Sequence, residues 1–416
     1  MKLTVILLLA LEAAAAAQEV VKRDVPDYDG RGEEPTTVGD VALWVPRVAF
    51  APLYLATEFA VRRPTGWLVV NAERGRWHAR IYDFFTTADH KAGFVPTFYL
   101  ESGFQPVVGL YLFADDVGTA GHALRFSGSL GVGHRALSVV ERLRRGGMTI
   151  SLNGQASDRD DYSHYGVGPT TEMDDRARYG AQRLQISGSV EGRAGPIRVR
   201  AELGFRDVEL RSSACCDDPS LAVASKALVD GGSSGAFERI EVGLDTRSHG
   251  SGLTAELDLE HGTSWNRVTA SASANLGVGR GRVLSVGLSG GMVDGAGGEE
   301  VPVTELVSVG GAGPLPGFAA GRLVGQSAIA AVAQYEWPVS AWLNGALHVG
   351  VGDVFGEHFD GFDPDLMRLS AGLGFRTGGN SSDFRFEALV ALGTDTFADG
   401  AGVEAVRLVL GGSHAF

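Results

Sequence analysis

The feature that most constrains this chain is a period of two that begins near Gly93 and recurs to the end. In Leu253–Glu260, Leu253, Ala255, Leu257 and Leu259 alternate with Thr254, Glu256, Asp258 and Glu260. In Arg198–Arg206, Val199, Ala201, Leu203 and Phe205 alternate with charged residues and Gly204, and Arg183–Glu191 repeats the pattern. Successive side chains of an extended strand leave on opposite faces, so each run predicts a strand with one apolar and one polar face. The runs fall at 93–100, 105–113, 121–132, 136–144, 147–156, 180–192, 196–210, 237–247, 252–262 and 267–279. They continue at 282–293, 326–337, 339–354, 366–377, 383–394 and 403–416, which makes 16.

Period alone does not separate a soluble sandwich from a membrane barrel. A sandwich buries its apolar faces, whereas a barrel turns them to lipid and keeps a polar lumen. The apolar rows here hold about five positions, matching the roughly 9–11 residues a strand needs to cross hydrocarbon. The number of runs is also even, as a closed antiparallel barrel of this kind prefers. The expected fold is therefore all-β: a 16-stranded antiparallel transmembrane β-barrel over residues 93–416, with a short N-terminal helical segment.

Other features fit export. Lys2 precedes an apolar run of 8, Thr4–Leu11, and Ala13–Ala17 follow, so residues 1–17 read as a signal peptide cut near Ala17–Gln18. Residues 18–40 are polar and read as a leader. Residues 41–92 are apolar and aromatic, with Pro46, Pro52 and Pro64 as punctuation, and predict short helices near Leu53–Arg63 and Trp67–Phe85. Together, 18–92 form a periplasmic or lumenal plug segment. No other stretch carries 18 uninterrupted apolar residues, so no transmembrane helix is expected. Glycine, at 59 of 416, is about twice ordinary usage and suits sheets with tight turns better than helices. A net charge of −14 argues against nucleic acid as a partner.

Long connections at 157–179, 211–236, 294–325 and 355–365 predict outer loops, since such barrels keep their other turns short. The acidic loops read as solvated, with surface divalent-cation binding as the alternative. Cys215 and Cys216 are adjacent and read as a loop feature, with a vicinal disulfide possible. Inward-facing charges recur at Arg198, Arg200, Glu202, Arg206, Arg239, Glu241, Glu256, Asp258, Glu260, Arg385 and Glu387. They predict either mutual pairing or a charged, selective pore.

Enzymatic chemistry finds little support. Ser163 and His164, with Asp160 and Asp161, offer hydrolase residue types, but neighbours on a strand point to opposite faces. The Gly-rich runs at 128–133 and 277–281 sit in strands with no helix following, so they read as turns and strand curvature. The chain is expected not to be an enzyme and to need no cofactor and no metal.

Residues 306–356 carry a more specific pattern. A loop tip reads Leu315-Pro316-Gly317-Phe318, a strand ends Tyr335-Glu336-Trp337-Pro338, and the next contains Gly350, Gly352 and Asp353. This resembles the bacterial surface antigen family, the BamA/TamA protein-assembly barrels and their two-partner-secretion relatives. That family's sixth loop folds into the barrel with a V-R-G-F/Y tip, its twelfth strand ends in a Glu-x-x-Pro-like pattern, and its thirteenth carries Phe-x-Asp-x-Gly. Tyr165-Gly166-Val167-Gly168 resembles a further family segment, and the terminal Phe416 resembles the C-terminal sorting signal of outer-membrane barrels.

Two departures accompany the match. The tip Arg would stand at Pro316 and its strand-13 Asp partner at Gly350, so the family's lumenal charge pair is expected to be absent, with Asp353 a partial substitute. Where that family carries POTRA domains, residues 18–92 show prolines and apolar helices. The resemblance implies a bacterial outer-membrane protein in contact with lipid that handles client outer-membrane or secreted proteins in insertion, secretion or envelope organisation. The alternative is a pore-forming or structural barrel without clients.

Overall fold

The computed structural model describes residues from Asp83 to His414, together with Phe59, Arg63, Trp67 and Arg80; within that span 214, 217, 222–231, 249, 280, 312, 340–342 and 378–383 are excepted. The signal peptide, the leader, most of the expected helices and Phe416 lie outside the described residues.

Sixteen strands form one closed antiparallel barrel. In chain order they are β1 (Ala92–Glu101), β2 (Val107–Asp115), β3 (His122–Gly131), β4 (His134–Arg145), β5 (Met148–His164), β6 (Ala177–Ala194), β7 (Ile197–Ser212) and β8 (Ser233–Asp245). Then follow β9 (Gly252–Gly262), β10 (Trp265–Gly277), β11 (Val283–Gly295), β12 (Ser327–Pro338), β13 (Leu343–Phe355), β14 (Arg368–Thr377), β15 (Phe384–Thr394) and β16 (Val403–His414). Each pairs with its sequence neighbours, and β1 with β16 closes the ring. Closure leaves no strand edge, which in hydrocarbon would leave backbone donors unsatisfied at several kcal/mol each. Among the described residues no helix is long and apolar enough to cross a membrane.

The two faces are arranged as a membrane barrel requires. On β9, Leu253, Leu257 and Leu259 are 40–56% exposed, while the intervening Asp258 and Glu260 are 7% exposed. Apolar side chains outside and charges inside invert a soluble core. The inward charges pair across strands: Arg239 with Asp258, Arg198 with Glu241 and Glu256, and Glu260 with both Arg206 and Arg267 at 3.0 Å. Of the two expectations for these groups, the geometry shows mutual pairing.

One boundary differs from the sequence reading. Residues 157–179 were expected as a loop, yet β5 runs on to His164 and β6 starts at Ala177, with a register shift between Arg159 and Tyr162. Here the outward row turns ionic, with Asp158 meeting Arg135 at 2.8 Å and Arg211, and Asp160 also meeting Arg211. Beyond the lipid band neither face has to be apolar, so the alternation disappears while the strands continue.

All the long connections lie at one end of the barrel. Counting every connection at that end, the sixth, residues 296–326 between β11 and β12, is called loop 6; loop 3 is 165–176, loop 4 is 213–232 and loop 7 is 356–367.

Candidate functional site: a loop seated in the barrel lumen

Loop 6 does not project into solvent. It folds into the lumen over a short antiparallel ribbon, Val307–Ser308 against Val324–Gly325. Leu315, Phe318 and Leu323 are fully buried and pack with Trp265, Val293, Ala328 and Val354 of the wall. Burying side chains of this size contributes about 1.5–3 kcal/mol each. The tip is a compact turn in which Gly311 N–H donates to Phe318 O at 2.8 Å and Leu315 N–H to Val309 O at 2.9 Å.

The wall is shaped for this turn. A Cβ on Gly350 would stand 2.9 Å from Leu315 Cδ2 and 3.0 Å from Pro314 O, so the tip lies directly against the bare backbone there. A Cβ on Gly317 would stand 2.0 Å from Leu392 O of β15, so the tip also presses on the wall two strands along from β13. The Phe318 ring covers Gly393. Gly317 N–H donates to Ser370 Oγ at 2.8 Å, and His348 Nε2 lies 2.9 Å from Pro314 O.

Three ionic anchors fix the loop. At its base, Glu305 accepts from Arg206 Nη1 and Arg267 Nη2, both at 2.9 Å, and from Ser233 Oγ at 2.8 Å. At the tip, Arg407 of β16 donates to Gly311 O at 2.8 Å and Pro316 O at 3.0 Å. Beyond the tip, Arg322 reaches back to the wall. Its Nε donates to Glu404 Oε1 of β16 at 2.7 Å, Nη1 to Thr171 Oγ1 of loop 3 at 2.6 Å, and Nη2 to Thr171 O at 2.8 Å. Its guanidinium lies 5.3 Å from the centroid of the buried Tyr165 ring. Arg368 pairs with Asp353 and also lies 3.5 Å from Glu404, so two arginines and two acids form one buried cluster.

The lumen nevertheless holds a buried charge cluster built from other residues. Pro316 and Gly350 carry no charge, while Arg322, beyond the tip, pairs with Glu404, and Arg368 with Asp353. Of the sequence candidates, Leu315, Gly317 and Phe318 converge with Gly350, and Pro316 offers its carbonyl to Arg407. Asp353 joins the buried cluster. Gly352 lets β12 approach, since a Cβ there would stand 2.3 Å from Ile329 O. Glu336 and Pro338 lie toward the far end of β12, where Glu336 pairs with Arg376 and Gln334. Tyr165-Gly166-Val167-Gly168 meets loop 6 directly, with Gly168 N–H donating to Val324 O at 2.8 Å.

Arg322, Glu404, Arg407 and Glu305 were not singled out in the sequence. For Arg322 a signal existed: it is the single charged side chain between Leu306 and Gln326. An isolated charge in an apolar, Gly-rich loop needs a buried partner.

The remaining candidates do not assemble into catalytic sets. Ser163 Oγ accepts from Arg178 Nη1 at 2.8 Å, and His164 Nε2 is buried without a partner. Cys215 and Cys216 are joined as a vicinal disulfide in loop 4. At the rim, Asp294, Glu357 and His358 bring one donor atom each within 4.8 Å of one another, on largely exposed side chains.

The base anchor has a pH signature. Burial pushes the Glu305 carboxyl up, but Arg206, Ser233 and Arg267 more than offset this and hold it below the ordinary glutamate value. A depressed folded-state value means the anchor stabilises fully above the ordinary glutamate range and is lost only as pH falls below it. Acid titration followed by the fluorescence of Trp265, which stacks on Arg267 at 4.6 Å, should stay flat through the ordinary range and change below it. Glu305→Gln should remove that step.

Compared by sequence, the chain matches no family model and no curated protein. Compared by structure, it is similar to BamA from Haemophilus ducreyi lacking POTRA domains 1–3, at 15% identity and TM-score 0.55 over 77% of this chain and 70% of that one. It is similar to CdiB from Escherichia coli at 14% identity and TM-score 0.52, over 76% of this chain and 62% of that one. For CdiB from Acinetobacter baumannii the values are 14% and 0.50, over 77% and 60%. The chain thus spans less than two thirds of the length of either CdiB chain. At these identities the likeness establishes a shared barrel fold.

Proposed function

We propose that this barrel, whose fold is that of the BamA and CdiB barrels, sits in the bacterial outer membrane and handles other polypeptides there, in insertion, secretion or envelope organisation. The observation that carries this is the loop seated inside a cylinder whose first and last strands close the wall. Loop 6 occupies the lumen, and among the described residues the β1–β16 seam pairs Phe98–Glu101 with Val409–Gly412 and adds the bond from Ser102 N–H to Leu408 O. The other described strand pairs match at seven or more positions, as between β14 and β15. On its other side β1 stays paired to β2 from Ala92 to Tyr99. An occupied lumen supports a reading in which the work is done on other chains at the wall. The reading assigns the barrel no catalysis and no cofactor.

A photoreactive phenylalanine analogue at the outward-facing Phe94 tests this in cells. Adducts with other polypeptides at Phe94, far exceeding those at Ile240 on the continuous wall of β8, are expected. Equal yields at both positions would sink the reading.

The runner-up is a pore, favoured by two polar cavities of about 570 and 330 Å³ beneath loop 6 that share Ser271 and Ser289. In planar bilayers the intact protein should show no steady open state, and deleting the tip, 311–320, should create one. A large steady conductance from the intact chain would favour the pore.

A further inference from the structure

We infer that Arg407 couples the seating of loop 6 to the closure of the seam, so that neither can open without weakening the other. Arg407 projects from β16 and is 5% exposed. One edge of its guanidinium faces β1: Nε donates to Glu101 Oε1 at 2.7 Å. The other edge faces the loop 6 tip, where Nη1 donates to both Gly311 O and Pro316 O. A rigid planar fork cannot turn toward one partner without leaving the other.

The carboxylate moves with β1. Tyr99 OH, on the same strand, donates to Glu101 Oε2 at 2.8 Å. If the seam parts, Glu101 leaves with β1 and Arg407 becomes a buried charge without its counter-ion. The guanidinium then has to reorient toward water, releasing the two carbonyls that bracket the tip. If the tip leaves first, Nη1 loses two acceptors, and the Arg407–Glu101 pair no longer has a fixed orientation. Such linkage is reciprocal by thermodynamic necessity. The inference rests on the contacts alone and holds whether or not the barrel handles client polypeptides.

Hydrogen exchange on the full chain in detergent micelles tests it, with heat-modifiable gel mobility confirming that each variant is folded. Glu101→Gln touches no atom of loop 6, yet it should speed exchange of the Gly311, Leu315 and Phe318 amides by about 5-fold or more, alongside the seam amides. Ser370→Ala frees the Gly317 N–H away from the seam and should speed exchange across Phe98–Glu101. Should Glu101→Gln fail to fold, Arg407→Lys keeps the charge, loses the fork and should release the tip. Faster exchange at the seam alone, with loop 6 unchanged, overturns the inference. So does a lack of change at both.

Discussion

Replacing Arg322 by alanine should unseat loop 6 and destabilise the barrel by about 3–5 kcal/mol, the usual result of removing one partner from a buried ion pair. Arg322 and Glu404 are 2% and 5% exposed at their side chains. Without Arg322, Glu404 retains only the 3.5 Å contact with Arg368, which already serves Asp353. The Thr171 hydroxyl loses its donor at the same time, and the Thr171 carbonyl keeps the 3.2 Å bond from Arg368 Nη2 alone. Arg322→Lys should recover part of the loss, because a single ammonium cannot serve Glu404 and Thr171 together in the fork geometry. Urea unfolding in detergent gives the stability. Labelling of a cysteine at Leu323, which is fully buried in the seated loop, gives the position of the loop. Wild-type stability in Arg322→Ala would remove the cluster from the account.

The second large effect should come from a residue with no side chain. Gly317→Val places branched carbons where the Leu392 carbonyl and the Gly393 amide already stand, at 2.0 and 2.8 Å from an ideal Cβ. Backbone on a paired strand cannot retreat, so the tip must move. Overpacking of this kind costs about 1–3 kcal/mol, and the displaced tip also forfeits the Ser370 hydrogen bond. The β-barrel should still form, since its ladders are untouched, but Phe318 should leave its site on Gly393. A crystal structure or exchange profile of Gly317→Val with the tip undisturbed would contradict this.

The barrel was legible in the sequence because one physical demand repeats along every strand: lipid outside, water inside. That demand ends above the lipid band, which is why Asp158–His164 read as loop and proved to be strand. The loop 6 tip was legible at Leu315, Gly317 and Phe318 because their spacing resembles a known motif. The anchors were not, because a buried ion pair joins residues far apart in the chain with no periodicity to mark them. Arg322 and Glu404 are an example, and so are Arg407 and Glu101, which meet only because the cylinder closes. No charge stands at Pro316 or Gly350, and the buried cluster is built instead from Arg322, Glu404, Arg368 and Asp353, which nothing in the sequence marks as a set.

The central claim is that loop 6 lies against β13 inside the cylinder. With Cys215 and Cys216 replaced by serine, Leu315→Cys and Gly350→Cys placed together test it most directly, since the Leu315 side chain stands within contact distance of a Cβ at position 350. The account predicts that the two thiols join spontaneously during assembly, with both cysteines refractory to a membrane-impermeant maleimide until reductant is added. Free thiols at both positions, labelled as fast as a cysteine in an outer loop, would contradict it.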